Sequence, residues 1–165
     1  MNIYQNTILI IIISGSALHA ECENSSLADY NEDNVLDILD MVVLIEQIMN
    51  EDEYIDNSDI NSDGIVDIID IVKLIIKILN PYPNISEITY LDYSDNMISI
   101  DWEENFSPLF KEYQLIMSVD FENQIVIDVI NSSNTTNSEI SALSLYQGAW
   151  FWINVLDEWE CGVLS

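Results

Sequence analysis

The chain carries one acidic pattern twice, thirty residues apart: Asp29-x-Asn31-x-Asp33-x-Val35-x-Asp37-x-x-Asp40 and Asp59-x-Asn61-x-Asp63-x-Ile65-x-Asp67-x-x-Asp70. A hard cation of the size of Ca2+ takes roughly six to eight oxygen ligands. One tightly turned loop can supply them from its first, third, fifth, seventh, ninth and twelfth positions. In both copies the first, third and fifth positions are Asp, Asn and Asp. The seventh (Val35, Ile65) can lend its backbone carbonyl whatever its side chain, the ninth (Asp37, Asp67) can act through a water, and the twelfth (Asp40, Asp70) can close the sphere. The sixth position needs an unusual backbone angle, which Gly64 meets at no steric cost and Asn34 meets as the next most tolerant residue. These twelve positions are the expected ligands of two calcium ions.

Acidic runs are most often solvated surface. Here the register argues otherwise, because the side-chain ligand positions match in both copies and an apolar residue fills the eighth position each time (Leu36, Val66). Before each loop lie polar, turn-forming stretches, Glu23 to Ala28 and Asn50 to Ser58, with no helical apolar period. After each loop an apolar helical segment follows, Ile38 to Met49 and Ile68 to Asn80, the second stopped by Pro81. An EF-hand has a helix on both sides of its loop, and its twelfth residue is Glu rather than Asp. A tandem loop-helix repeat with a terminal Asp resembles instead the dockerin module, over about Leu27 to Asn80. The resemblance implies a calcium-dependent plug that docks into a cohesin-like protein domain. It also implies that the residues just before the last ligand, Ile38, Leu39, Ile68 and Ile69, contact that partner. The best-known cellulosomal dockerins carry small hydroxyl residues there, and the apolar pairs of this chain are closer to the more hydrophobic types.

Thirty acids stand against three bases, Lys73, Lys77 and Lys111, for a formal net charge of -27. A surface of that sign is repelled by phosphate backbones and anionic headgroups, which argues against a nucleic-acid partner. The single His19 falls in the N-terminal stretch, so a His-dependent nucleophile or a His-bound zinc is not expected in a processed chain. Glu103-Glu104 or Glu158 with Glu160 could in principle serve glycoside hydrolysis, but such adjacent acids are more often solvated surface. No catalytic domain is expected.

Ile8 to Ile13 forms an apolar run inside a short h-region, followed by small residues and a cleavage site after Ala20. This reads as an export signal over residues 1–20, leaving no membrane segment in the mature form. Glu21 before Cys22 argues against a lipid anchor. In an oxidising compartment the two cysteines, Cys22 and Cys161, are expected to be paired rather than catalytic.

Pro81-Tyr-Pro83 stops the helix and marks a linker over residues 81–84. Beyond it, Ser86 to Tyr93, Met97 to Trp102, Lys111 to Val119, Gln124 to Ile130, Asn134 to Ile140 and Trp150 to Leu156 read as short strands. The order resembles a fibronectin type III domain over about Ile85 to Ser165, with Trp102 ending the second strand, Tyr113 on the third, and Leu145 ahead of Phe151-x-Ile153-x-Val155. Phe151 stands where that family often has Tyr, so the corner hydroxyl bond is expected to be missing. The aromatic pair Trp150 and Trp152 invites a sugar-stacking role, against which a covered second face is the plainer expectation.

The expected fold class is therefore multidomain α + β: a small all-α dockerin-like pair, residues 27–80, then an immunoglobulin-like antiparallel β-sandwich, residues 85–165. The expected function is secreted, non-catalytic, calcium-dependent docking in an extracellular assembly linked to polysaccharide degradation. The alternatives are the tail of a polysaccharide-degrading enzyme, suggested by the stop at Ser165 within a last strand, and a plain extracellular calcium-binding protein.

Overall fold

A computed structural model describes Cys22 and residues 28–50, 58–141 and 148–165. The segment expected to be an export signal, the stretches ahead of each loop (23–27 and 51–57) and Leu145 lie outside the described residues, and with them the expectations made for those positions.

Among the described residues two helices come first, α1 (Ile38–Asn50) and α2 (Ile68–Leu79). Each begins at the end of an acidic loop, and the loop residues themselves start it. The Asp67 carboxylate accepts from the Ile69 N–H, and the Asp70 carboxylate accepts from the Asp67 N–H, a reciprocal pair that satisfies two otherwise orphaned donors. Asp37 and Asp40 repeat the arrangement at α1, at 2.7 and 2.8 Å. Acidic groups in the first turn also suit the positive end of the helix dipole. Lys77, in the last turn of α2, complements its other end.

Seven strands follow among the described residues: β1 (Ile88–Ser94), β2 (Met97–Trp102), β3 (Phe110–Ser118), β4 (Ile125–Ile130), β5 (Asn137–Ser141), β6 (Trp150–Asp157) and β7 (Gly162–Leu164). They form two antiparallel sheets, ordered β1-β2-β5 and β4-β3-β6-β7. Alternation decides what faces inward. In β2 the side chains of Ile98, Ile100 and Trp102 are buried and their neighbours are not. They meet Tyr113 and Leu115 of β3 and Phe151, Ile153 and Val155 of β6 in one core between the sheets. The Tyr113 hydroxyl accepts from the Asn105 N–H at 2.7 Å and donates to the Ser133 carbonyl at 2.9 Å, so a buried tyrosine pins two loops to β3. Burial pushes the pKa of this hydroxyl up.

The expected fold class requires correction. The described part of the chain is mostly β, with only two short helices beside two antiparallel sheets, and the helices are not a separate all-α domain with a core of their own. Their fully buried apolar side chains are few, Leu44 on α1 and Leu74 on α2, and these join Ala28, Leu109, Trp159 and Cys161 in a second core. Leu36 and Val66, the eighth-position residues, pack partly buried against the same core. Two helices of 13 and 12 residues cannot bury enough surface between themselves, so the missing wall comes from the β6–β7 hairpin and the residue before β3.

Polar contacts fasten the same junction. Lys77 Nζ lies 2.5 Å from Asp157 Oδ2, with both side chains almost fully buried, and donates also to the Pro81 carbonyl at 2.9 Å. Lys73 pairs with Glu158, and Lys111 pairs with Glu160. The hydrogen bond to Glu160 raises the pKa of Lys111. All three basic side chains thus end on the β6–β7 hairpin. The linker is anchored at its far end too, where the Asn84 N–H donates to Ser107 Oγ and the Asn84 carbonyl accepts from Asn105 Nδ2, each at 2.7 Å. Cys22 and Cys161 form a disulfide spanning 139 positions, which ties the start of the described chain to the hairpin.

Candidate functional site

The two acidic loops fold alike. In the first, Asp29 Oδ1 accepts from the Asp33 N–H (3.1 Å) and Asp29 Oδ2 from the Asn34 N–H (2.8 Å). In the second, the two oxygens of Asp59 accept from Asp63 and Gly64 at the same distances. Asn31 Oδ1 and Asn61 Oδ1 accept from the fifth residue's N–H, and the Asp33 and Asp63 carboxylates accept from the seventh's. Asp40 and Asp70, both fully buried, reach back across the loop, Asp40 Oδ1 taking the amides of Tyr30 and Asn31 and Asp70 Oδ1 that of Asn61. The chain needs left-handed backbone at the sixth position, φ 66° at Asn34 and 87° at Gly64, as the turn argument anticipates. The fourth position is left-handed as well, at Glu32 (58°) and Ser62 (60°). That requirement has no glycine to signal it.

The chemistry of this arrangement is that of an anionic loop rich in oxygen acceptors. Each first-position carboxylate takes two amide bonds, and since a carboxylate offers about four lone-pair sites, each of its oxygens keeps capacity for a cation. No lysine competes for these oxygens, because all three are engaged at the β6–β7 hairpin. Among the described residues, no group of three or more His, Cys, Asp or Glu side chains is gathered closely enough to hold a metal ion. The Asn31 and Asn61 side-chain amides donate to Asp33 and Asp63 across the loop mouths, at 2.9 and 3.0 Å. The donor set, all oxygen within one turn, suits a hard divalent ion. Val35 and Ile65 contribute no side-chain ligand, and their own side chains are exposed.

The four residues expected to meet a partner all stand in solvent: Ile38 is 61% exposed, Leu39 53%, Ile68 67% and Ile69 49%. Sequence reasoning named only these four residues, whereas the exposed apolar surface continues through Val42 on α1 and Val72 on α2, with the loop residues Val35 and Ile65 exposed ahead of the helices. The signal for Val42 and Val72 was available in the spacing, since each lies four residues after Ile38 or Ile68 and so on the same helix face. Only the opposite face is taken by the second core. The acids weighed for glycoside hydrolysis are occupied or solvated: Glu158 and Glu160 hold lysines, and Glu103 and Glu104 are exposed. Trp152 is buried and Trp150 half-buried, with Phe121 edge-on to both at 5.7 and 5.8 Å. A loop of the same sheet, rather than the helical pair, covers that face. Among the described residues no helix is long and apolar enough to cross a membrane.

No family model matches the chain, and no curated protein matches it. Among solved structures, a pectate lyase from Erwinia chrysanthemi in complex with tetragalacturonic acid is similar over 50% of this chain and 26% of its own, at 13% identity and a TM-score of 0.40. A pectate lyase from Pectobacterium carotovorum is similar over 50% of this chain and 25% of its own, at 14% identity and a TM-score of 0.41. The chain thus spans about a quarter of each lyase, and a likeness at this level transfers neither fold nor activity.

Proposed function

We propose that this is an exported, non-catalytic docking protein whose two loop-helix repeats each take one calcium ion and then present an apolar helix face to a cohesin-like protein domain. The observation that carries the reading is the pairing of two features in each repeat: an anionic oxygen loop, and four exposed apolar residues beginning at that loop's seventh position. Asp29, Asn31, Asp33, Asp37, Asp40 and the Val35 carbonyl would hold one ion. Asp59, Asn61, Asp63, Asp67, Asp70 and the Ile65 carbonyl would hold the other. The ion supplies positive charge that offsets the mutual repulsion of the loop carboxylates. The chain's own residues do the rest. Asp37 and Asp67 start the helices, Asp40 and Asp70 tie loop to helix, and the exposed residues meet the partner.

A plain calcium-binding protein would have no use for Ile38, Leu39, Ile68 and Ile69 in solvent, which favours docking over simple storage. The test is capture of a panel of cohesin domains by the calcium-loaded protein and by the chelated protein. Capture that needs calcium and is abolished by charging all four positions supports the reading, and calcium-independent capture removes it.

A further inference from the structure

The partner's chemistry follows from where the chain's positive charge goes. Docking faces are usually complementary in sign as well as in shape. The protein has three lysines and no arginine, and each lysine is paired: Lys73, Lys77 and Lys111 with Glu158, Asp157 and Glu160 of the β6–β7 hairpin. Beside the exposed apolar stripe at α2 (Ile65 in the loop, then Ile68, Ile69 and Val72) the nearest lysine in sequence, Lys73, is partly buried and neutralised by Glu158, and the counterpart stripe at α1 (Val35 in the loop, then Ile38, Leu39 and Val42) lies on a helix with no Lys or Arg. What borders them is acidic. Glu32 and Asp33 precede the first stripe, Glu46 follows it on the same helix, and Asp63 precedes the second, all of them exposed. One divalent ion per loop offsets only half of that loop's four Asp charges, so each stripe stays apolar at its centre and negative at its rim even when loaded.

We infer that the partner of these stripes is a protein surface with an apolar centre and a Lys/Arg rim, an inference that rests on the docking function proposed above. A second copy of this chain is the wrong occupant, because it brings the same net charge of -27 and no uncommitted base. Nucleic acid supplies no cation at all. The partner's basic rim would raise the association rate, with a strong dependence on salt, while the apolar centre would set the lifetime of the complex.

The experiment uses the calcium-loaded full chain and two synthetic amphipathic helical peptides with the same leucine stripe, one bordered by lysine and one by glutamine. Binding is followed by calorimetry and by NMR shifts at Ile68, Ile69 and Val72. The expected result is that the lysine-bordered peptide binds at least about tenfold more tightly than the other, an advantage lost in high salt. Ile68→Asp with Ile69→Asp should then weaken it by about tenfold or more, since the stripe is interrupted. Attraction to bulk negative charge alone would instead strengthen with those two added carboxylates, and that outcome overturns the inference. Equal binding of the two peptides at the stripe overturns the basic rim and leaves the docking face standing. No calcium-dependent binding of either peptide contradicts the docking function itself. Ile68→Ser with Ile69→Ser, which adds no charge, keeps the test readable if the Asp variant loses its helices.

Discussion

Lys77 of α2 and Asp157 at the end of β6 meet at 2.5 Å with almost no exposure of either side chain, eighty residues apart in the chain. Asp157 also accepts the amides of Trp159 and Cys161, each at 2.9 Å, so its carboxylate is held by one ammonium and a tight turn. The ammonium lies 5.6 Å from the centre of the Trp159 ring. The repeat equivalent of Lys77 is Gln47, which makes a different buried bond, accepting from Ser58 Oγ at 2.9 Å. The two repeats are alike in their loops and differ where one of them meets the sheets.

Removing one partner of a buried pair leaves the other charge uncompensated, which typically costs about 3 to 5 kcal/mol. Lys77→Met should therefore destabilise the protein by about 3 kcal/mol in urea unfolding. Lys73→Met, whose pair with Glu158 is partly exposed, should cost under about 1 kcal/mol. Equal effects would mean that the buried pair does not fasten helix to hairpin.

The disulfide closes a separation of 139 residues, for which the chain-entropy model gives about 4 to 5 kcal/mol of stabilisation. Cys22→Ser with Cys161→Ser should lower the urea midpoint accordingly. Mass spectrometry of alkylated, unreduced protein should find no modified thiol, and two modified cysteines would contradict the bridge.

Acid should loosen the β3–β4 turn late. Asp120 accepts from the backbone and side chain of Asn123, from the Glu122 amide and from Ser118, and these bonds, the Asn123 ones foremost, lower its pKa from 3.8 to about 2. A carboxyl depressed in the folded state contributes stability that is present above its unfolded pKa and lost as pH falls through the folded one. The Asn123 amide shift should then titrate with a midpoint near pH 2, and a midpoint near 3.8 would show that the turn's bonds are weak in solution.

The helix faces should separate cleanly under mutation. Leu74 is fully buried in the second core, so Leu74→Ala should cost about 2 to 5 kcal/mol. Ile68→Ser, on the exposed face, should change stability by less than about 1 kcal/mol. A large cost at Ile68 would mean that its face is covered in solution.

Much of this was legible in the residues, and the failures have a common cause. The left-handed sixth positions of the two loops were legible because turn geometry is a local property, and so were the helices that begin at Ile38 and Ile68, whose caps are loop carboxylates. Six strands were placed to within about three residues by alternation, since an inward Ile98, Ile100 and Trp102 is a pattern of period two. What the sequence concealed is long-range. Nothing near Lys77 reveals that it will be buried on Asp157, and nothing near Leu44 reveals that Trp159 will complete its surroundings. Hence the local pattern points to an all-α unit, whereas the helical pair shares its core with Leu109, Trp159 and Cys161. The left-handed Glu32 and Ser62 were hidden for a different reason, since neither residue type advertises a positive φ.

The central claim is that metal and repeat helices are coupled, because each loop carries four Asp residues within twelve positions and two of them cap its helix. The most direct measurement is calcium titration of the full chain by calorimetry, with far-ultraviolet circular dichroism and thermal melting before and after chelation. The account predicts two ions per chain, a loss of helical signal and a lower melting temperature on chelation, and a single tight site once Asp59 is replaced by Ala. Unchanged helicity and melting on chelation, with no heat of calcium binding, would contradict it.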